Sequence, residues 1–395
     1  MEDEIYWLWL SLLNVSIKAR SAIIGDFGSA ERAFHSKAGC FRSLKGVTAK
    51  EAALLEDRSL QNAETSLELC NRYGITVLPI TDPQYPERLK EIYLPPPVLY
   101  LQGKLLPIDE LPVVSVIGTR KASPYGIKMG QRIAFEVSKC GGTVLSLLTP
   151  GIDEAAAIGM LKSGRPGIAV LGTSHDHCRS DLLQDVSSGG AVISEYPPGK
   201  QLSKHFFRER NRIAAGLSVG VVVVEAPEKS GTRFFVTDAV EQGKDIFAIP
   251  GNADAENSAG TLSMLKEGAK LVTCGADVME EYELRFPDLI CREAFACSFD
   301  DEKGIEEAEI QPDPAAENPV SGKRADAPEA NMGRYTGLTE EQLLILQNIS
   351  HVPTHIDEIT EKAGLTVPKV LAQLTVLEIK GVVVRKPGKL FCLKE

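Results

Sequence analysis

Short apolar runs alternate with amphipathic segments between Pro112 and about Tyr282, and this alternation restricts the fold more than any other feature of the chain. The runs, each bounded by Gly or Pro, read VVSVI, TVLSLL, GIAVLG, AVIS, VGVVVVEA and DIFAIP. Most are separated by segments with helical spacing, such as that of Ile127, Ile133, Ala134 and Val137. Apolar strands alternating with helices indicate a parallel sheet covered on both faces. The sequence therefore predicts an α/β, doubly wound fold whose ligands bind in the turns after the carboxyl ends of the strands.

The region before this core has two parts. Residues 1–72 carry Leu and Ala at three- and four-residue intervals, which predicts a helical domain with breaks at Gly25, Gly28 and Gly46. The stretch that follows, YGITVLPITDPQYPERLKEIYLPPPVLYLQGKL, contains six prolines, which we expect to stop regular helix or sheet from continuing. We assign it to the start of the α/β domain, residues 73–288.

The C-terminal region also divides in two. Residues 289–334 are expected to be a flexible acidic linker, since 291–333 hold eleven Asp and Glu against four Lys and Arg, a net charge of −7. Residues 335–395 show three helical patterns and then VVVRKPGKLFCL, a predicted hairpin around Pro387-Gly388. This pattern predicts a winged helix. Its third helix, the expected recognition helix, offers only Lys369 and Lys380 as cations, so contact with DNA and contact with protein both remain open.

Composition narrows the class of protein. The net charge is −11, so contact with nucleic acid requires a local basic patch, but the acidic linker accounts for most of that charge. Eight scattered cysteines without a Cys-x-x-Cys pair predict reduced thiols in a cytosolic protein. The apolar run near the N-terminus is too short and polar for a membrane span and lacks the basic start of a signal peptide. We therefore expect a cytoplasmic protein.

The first turn of the α/β region, VIGTRKASPYG, carries two cations beside its glycines. The glycines permit a tight turn, and amides at the start of the helix expected after Gly126 favour an anion, with Arg120 adding a bidentate contact. The alternative is a surface turn in which Arg120 and Lys121 are merely solvated.

A second stretch, KHFFRERNRIAAG, mixes cations with aromatic rings. Arginines that hold phosphates and rings that stack on bases are the features of a groove for single-stranded nucleic acid. The alternative places the phenylalanines in the core and pairs the arginines with Glu195 and Glu209.

A third turn, EAPEKSGT, follows the most apolar strand and opens a helix at Ser230-Gly231-Thr232. This sequence suits a helix cap or a phosphate site. No dinucleotide or P-loop glycine motif is present, and no nucleophile and base are suitably spaced, so we expect neither a cofactor nor catalysis. The loop from His175 to Cys178 is interpreted as an ordinary loop, not a metal site.

These turns, in this order, resemble the DNA-processing protein DprA (Smf) family across about residues 73–283. The resemblance is carried by VIGTRKASPYG, GGAVISEYPPG, FFRERNRIAAGLS, VVVVEAPEKSGT and AVEQGKDIFAIPG. It implies an extended Rossmann-like domain, an N-terminal helical domain of the SAM or helix-hairpin-helix kind and a C-terminal winged helix. It also implies a non-enzymatic, homodimeric protein that dimerises through the Rossmann-like domain, binds single-stranded DNA and hands it to the RecA recombinase in natural transformation.

Residue patterns and resemblance together give one set of expected contacts with single-stranded DNA or phosphate. They are Gly118, Thr119, Arg120, Lys121, Ser146, Gly151, Lys204, Phe207, Arg210, Asn211, Arg212, Ser230, Gly231 and Thr232.

The chain departs from the family in SLLTPGIDEAAA. Leu147 replaces a glycine and is expected to crowd the approach to phosphate, while Thr149, Pro150 and Ala157 also differ from the family's residues. A narrowed pocket favours the alternative of a small-nucleotide sensor with the winged domain as its output.

Overall fold

The computed structural model describes residues 3–200, 203, 205–291 and part of the C-terminal region. In that region the described residues are 342, 345–346, 349, 354–363, 369–370, 373–374, 377, 382–386 and 390–393. The chain divides into two compact units, residues 1–316 and 317–395. From residue 292 onward, the predicted acidic linker lies outside the described residues, as does Lys204.

A nine-stranded sheet forms the centre of the first unit, in the order β1-β2-β6-β5-β4-β3-β7-β8-β9. Its strands are β1 (Ile75–Pro79), β2 (Val98–Gly103), β3 (Val113–Ile117), β4 (Thr143–Ser146), β5 (Ile168–Leu171), β6 (Ala191–Ser194), β7 (Gly220–Val223), β8 (Asp245–Ala248) and β9 (Lys270–Leu271). Strands β3 to β9 are parallel, and β3 to β7 are buried along their whole length. The predicted doubly wound α/β fold is confirmed.

The expectation for the proline-rich stretch is wrong, because β1 and β2 lie within it. They pair antiparallel with each other, and β2 pairs antiparallel with β6. Pro79 ends β1, and Pro95, Pro96 and Pro97 immediately precede β2, so the prolines bound the strands instead of interrupting them. These two strands extend the parallel sheet.

Helices cover both faces of the sheet. They are α1 (Glu4–Leu12), α2 (Ile17–Phe27), α3 (Ala30–Phe34), α4 (Ala49–Leu55), α5 (Gln61–Tyr73), α6 (Glu87–Lys90), α7 (Pro124–Lys139), α8 (Ile152–Lys162), α9 (Leu183–Gly189), α10 (Phe206–Leu217), α11 (Thr232–Glu241), α12 (Ala259–Lys266) and α13 (Gly275–Met279). Residues of α7, α8, α9 and α13 share one apolar core, and those of α6, α10, α11 and α12 share another.

Helices α1 to α5 confirm the helical N-terminus and form a third core with β1 and β2. Gly28 ends α2 at a φ of 77°, and Gly46 turns the chain before α4 at a φ of 98°. Gly25, by contrast, lies inside α2 and breaks nothing. Within the described part of the chain, no helix is long and apolar enough to cross a membrane.

The second unit contains the helix α14 (Ile356–Ala363) and a small antiparallel sheet of three strands. Strands β11 (Val383–Lys386) and β12 (Leu390–Leu393) form the predicted hairpin, whose turn residues lie outside the described set, and β10 (Thr354–His355) pairs with β12. Ile359, Leu374 and Phe391 are buried in its core. Lys369 is exposed, and Lys380 is not among the described residues.

Candidate functional site

A cleft of about 750 Å³ lies at the carboxyl ends of β4, β3 and β7. The chain runs from β3 outward to β4, β5 and β6 and then returns through α10 to place β7 on the other side of β3. Ligands in open α/β sheets bind at such a reversal of strand order. Nine expected contacts line it: Gly118, Thr119, Arg120, Phe207, Arg210, Asn211, Ser230, Gly231 and Thr232. We call this feature the basic cleft.

The turn after β3 forms the centre of the cleft and is fixed by backbone contacts. The Thr119 amide donates to the carbonyl of Glu225 at 2.8 Å, and the Thr119 carbonyl accepts from the Ile152 amide at 3.2 Å. Gly151 has a φ of 92°, and a Cβ there would lie 2.4 Å from the Thr119 carbonyl oxygen. Glycine is therefore required at 151 for the two turns to approach each other, and its role is to shape the cleft.

Arg120 and Phe207 form a cation–aromatic pair on the wall of the cleft. The guanidinium carbon of Arg120 lies 5.4 Å from the centre of the Phe207 ring, within the range of a cation–π contact. Arg120 is exposed, and Phe207 packs against Gly172, where a Cβ would lie 2.7 Å from the ring. An exposed cation beside a ring is suited to a ligand with both phosphate and a flat base.

Arg210 and Asp153 lie deeper in the same cleft. Arg210 is 5% exposed and donates to the carbonyls of Leu147 and Val170. Burial lowers the pKa of Arg210 to about 10, although nearby Asp153 opposes this shift. Burial raises the pKa of Asp153 to about 6, against the hydrogen bonds from the Thr149 hydroxyl and the Gly118 amide and the charge of Arg210. Arg210 therefore remains charged at neutral pH, whereas Asp153 gains or loses its proton near pH 6.

The helix α11 begins at Thr232 in the lining of the cleft, as the sequence Ser230-Gly231-Thr232 predicts. The Ser230 hydroxyl accepts from the Thr232 amide at 3.1 Å. A Cβ added at Gly231 would meet no atom within 4 Å, so the backbone there is open to a ligand. Because amides at a helix start attract anions, this end of α11 is suited to a negatively charged group beside the arginines.

Arg212 does not fit the phosphate contact expected of it. Its guanidinium makes a two-point contact with the Glu195 carboxylate, at 2.7 and 3.0 Å, and donates to the Leu94 carbonyl. It does not line the cleft. The alternative interpretation, an ion pair with Glu195, describes this residue.

Two further expected contacts also lie away from the cleft lining. Ser146 is buried, donates to the Asp153 carbonyl at 2.7 Å and accepts from the Leu148 amide, so it braces the β4–α8 turn. Lys121 is exposed beside Arg120 and its amide donates to the Thr119 hydroxyl.

The helix after the first turn already holds an anion. This helix, α7, begins at Pro124, three residues earlier than expected. The Glu225 carboxylate accepts from the Ser123 amide at 2.9 Å and from the Ser123 hydroxyl. A Cβ at Gly126 would lie 2.2 Å from that carboxylate. The expectation of a ligand anion at this helix start is therefore wrong, because the protein's own Glu225 fills the position.

Three lining residues, Arg208, Lys229 and Phe234, are not among the expected contacts. Arg208 belongs to the cation-rich FFRERNR motif, whereas the only sequence signal for Lys229 and Phe234 is their position beside SGT. Leu147, which was expected to crowd the site, does line the cleft, and at 5% exposure it also packs in the apolar core that contains Ile117 and Phe235. Phe206, unlike Phe207, stacks on Tyr196 with ring centres 3.7 Å apart, since successive helical residues face about 100° apart.

The lining of the basic cleft includes four cations, Arg120, Arg208, Arg210 and Lys229, against one carboxylate, Asp153. Aromatic rings and open amides complete it. Among the described residues, no group of three His, Cys, Asp or Glu side chains is placed to hold a metal ion. His175 is buried and its Nε2 contacts the Val192 carbonyl. Burial lowers the pKa of His175 to about 4, although the contact with Val192 opposes this shift. This lining suits an anion that also carries flat, apolar groups.

Fold and cleft define a Rossmann-like protein with a cationic site at its strand-order reversal. The family model for DNA recombination-mediator protein A matches residues 76–283, and that for the DprA winged helix domain matches residues 325–389. The chain belongs to the DNA recombination-mediator protein A family, also called DprA or Smf.

Individual relatives agree with this assignment. Protein Smf of Synechocystis is 29% identical over 397 residues, covering 98% of each chain. DNA processing protein DprA of Streptococcus pneumoniae is 40% identical over 208 residues, covering 52% of this chain and 73% of that one. The X-ray structure of the S. pneumoniae protein superimposes with a TM-score of 0.60 at 30% identity, covering 70% of this chain and 97% of that one.

Proposed function

We propose that this protein binds single-stranded DNA in the basic cleft and delivers it to the RecA recombinase during natural transformation, without a catalytic step of its own. The observation that carries this proposal is the meeting of Arg120, Arg210 and Phe207 with the open start of α11 in one cleft. Family membership supports a role in DNA recombination, since the matched model describes a recombination mediator.

The chemistry of the cleft favours a single strand over a duplex. Phosphates account for the cations, and unpaired bases account for the exposed aromatic surface, because bases inside a duplex offer no free face to a ring. A free mononucleotide, the ligand of the alternative sensor, satisfies only one ring and one or two cations. The several cations and rings of the cleft therefore favour a polymer.

A binding titration tests the proposal directly. We expect oligo-dT to bind at submicromolar Kd, duplex DNA of equal length to bind more weakly, and log Kd for oligo-dT to change steeply with log salt because counterions are released. Mononucleotides, added in a thermal-shift assay, are expected to leave the Tm unchanged. Salt-insensitive binding of oligo-dT, or a Tm raised by a mononucleotide alone, contradicts the proposal.

Delivery to RecA and dimerisation through the Rossmann-like domain are parts of the proposal that need their own measurements. We expect the protein to speed RecA assembly on single strands already coated with single-strand-binding protein. We also expect a mass of two chains by light scattering, retained by a fragment of residues 1–316, the first compact unit. A mass of one chain would contradict dimerisation, and an unchanged rate of RecA assembly would contradict delivery to RecA.

The basic cleft should bind single strands more tightly as pH falls through about 6. Asp153 is the one carboxylate among the lining residues, and its raised pKa means that it is charged above pH 6 and neutral below. Removing one negative charge about 10 Å from a phosphate is worth about 1 kcal/mol, or about fivefold in Kd. Titrations with oligo-dT between pH 5.5 and 8 measure the effect.

The matched variant for this prediction is Asp153→Asn. It should bind at pH 8 as tightly as the wild type does at pH 5.5 and lose the dependence on pH, whereas His205→Gln, at an exposed imidazole, should keep it. If the pH dependence of Kd survives in Asp153→Asn and disappears in His205→Gln, then Asp153 is not the group that titrates, and the prediction is contradicted.

A further inference from the structure

Phe234 is an unusually exposed aromatic residue within the basic cleft. It lies in the first turn of α11, and its side chain is 57% exposed, while its neighbour Phe235 is buried in the core. One face of its ring is covered by the guanidinium of Arg208, whose carbon lies 5.1 Å from the ring centre. A phenyl ring left largely in water forfeits hydrophobic free energy, which a flat ligand on its open surface restores.

Arg208 is held over that ring by a second contact. Its Nη1 donates to the carboxylate of Asp238, one helical turn beyond Phe234 on α11. The Arg208 side chain is nevertheless 47% exposed, so guanidinium donors remain accessible to solvent. Asp238 thus fixes the direction of the arginine without burying it, and the arginine links α10 to α11 across the cleft.

This arrangement repeats the one already described for Arg120 and Phe207. In both cases a guanidinium carbon lies 5.1–5.4 Å from the centre of a phenyl ring, and in both cases the two residues line the basic cleft. One ring is carried by α10 and the other by α11. Lys229 lines the cleft close in sequence to the start of α11 and adds a further cation on that side.

Resting on the proposed function, we infer that Arg208 and Phe234 form a second base-stacking position for single-stranded DNA. One base stacks beside Phe207 and Arg120, another stacks on the open surface of Phe234, and Arg208 and Lys229 contact the phosphates on the α11 side. The ligand is a strand of at least two nucleotides, since the rings stand on two different helices.

Substitution of the ring tests this assignment. Phe234→Ala is expected to weaken oligo-dT binding about 5- to 100-fold, the equivalent of one lost stacking contact. The slope of log Kd against log salt should stay unchanged, because no charge is removed. The control is Val240→Ala, on the same helix and 58% exposed but outside the cleft lining, which should bind like the wild type.

A second variant reports stacking without loss of the ring. The chain's two tryptophans, Trp7 and Trp9, are buried in the N-terminal core, so a new Trp on α11 is seen against a constant background. We expect emission from Phe234→Trp to be quenched by oligo-dT, and emission from Val240→Trp to be unaffected.

The outcomes separate this inference from the proposed function. If the wild type binds oligo-dT while Phe234→Ala binds as tightly as Val240→Ala, or while Phe234→Trp emission stays constant, the second stacking position is refuted and the cleft remains a binding site. If the wild type does not bind oligo-dT, the proposed function fails and this inference fails with it.

Discussion

Replacing Arg120 with alanine is expected to weaken the binding of oligo-dT about 10- to 100-fold. The substitution removes a charge-assisted contact worth about 1.5–3 kcal/mol and the cation over the Phe207 ring. It should also reduce the slope of log Kd against log salt by about 0.7, the value for one phosphate of a single strand. Because Arg120 is exposed, the fold should not change, and equal Tm values would establish this.

Two control variants make the Arg120 result specific. Arg120→Lys keeps the charge and should retain the salt slope while losing part of the affinity, since lysine cannot make a bidentate contact. Lys104→Ala removes an equal charge from an exposed position outside the cleft lining and should leave Kd nearly unchanged. Equal losses for Arg120→Ala and Lys104→Ala would mean that binding depends on overall charge alone.

Gly151→Ala is expected to destabilise the folded protein by about 3 kcal/mol or more, with a fall in Tm of roughly 5–10 °C. The new Cβ would lie 2.4 Å from the Thr119 carbonyl oxygen and 2.7 Å from that of Arg120, at a backbone φ of 92°. The two turns must then separate, which breaks the hydrogen bond from the Ile152 amide to Thr119. Calorimetry measures the loss.

The matched control for Gly151→Ala is Gly231→Ala. A Cβ at 231 has open space, and the residue has a φ of −61°, which alanine adopts freely. Its Tm should equal that of the wild type, although its affinity should fall if a phosphate approaches the amides at the start of α11. A Tm unchanged in Gly151→Ala would show that the turns around Thr119 are not held by this close approach.

The sequence predicted the sheet well because strand identity here depends on local composition. The runs VVSVI and AVIS are β3 and β6 to the residue, and the SGT turn does begin α11 at Thr232. The meeting of the three turns followed from topology alone, since the carboxyl ends of parallel strands share one edge of the sheet. Strands β1 and β2 were missed because their flanking prolines obscured apolar runs of only five or six residues.

What the sequence could not predict depends on contacts between distant residues. Glu225 fills the start of α7 from 102 positions away. For Arg212 the sequence offered both Glu195, 17 positions away, and a phosphate, and only the structure decides for Glu195. In each case the sequence is equally compatible with a bound phosphate as the partner, so it could not decide between the two. Burial of Asp153, and so its raised pKa, likewise follows from packing against the β3 turn and not from the residue's neighbours in the chain.

Photocrosslinking is the most direct measurement of where a single strand lies on this protein. Oligo-dT carrying 4-thiothymidine, irradiated with the full-length chain and analysed by peptide mass spectrometry, should give crosslinks in 118–121, 206–212 and 230–235. Arg120→Ala should reduce all three together. Crosslinks confined to the winged-helix residues, or to the surface around Lys104, with none in these segments, would contradict the assignment of the basic cleft.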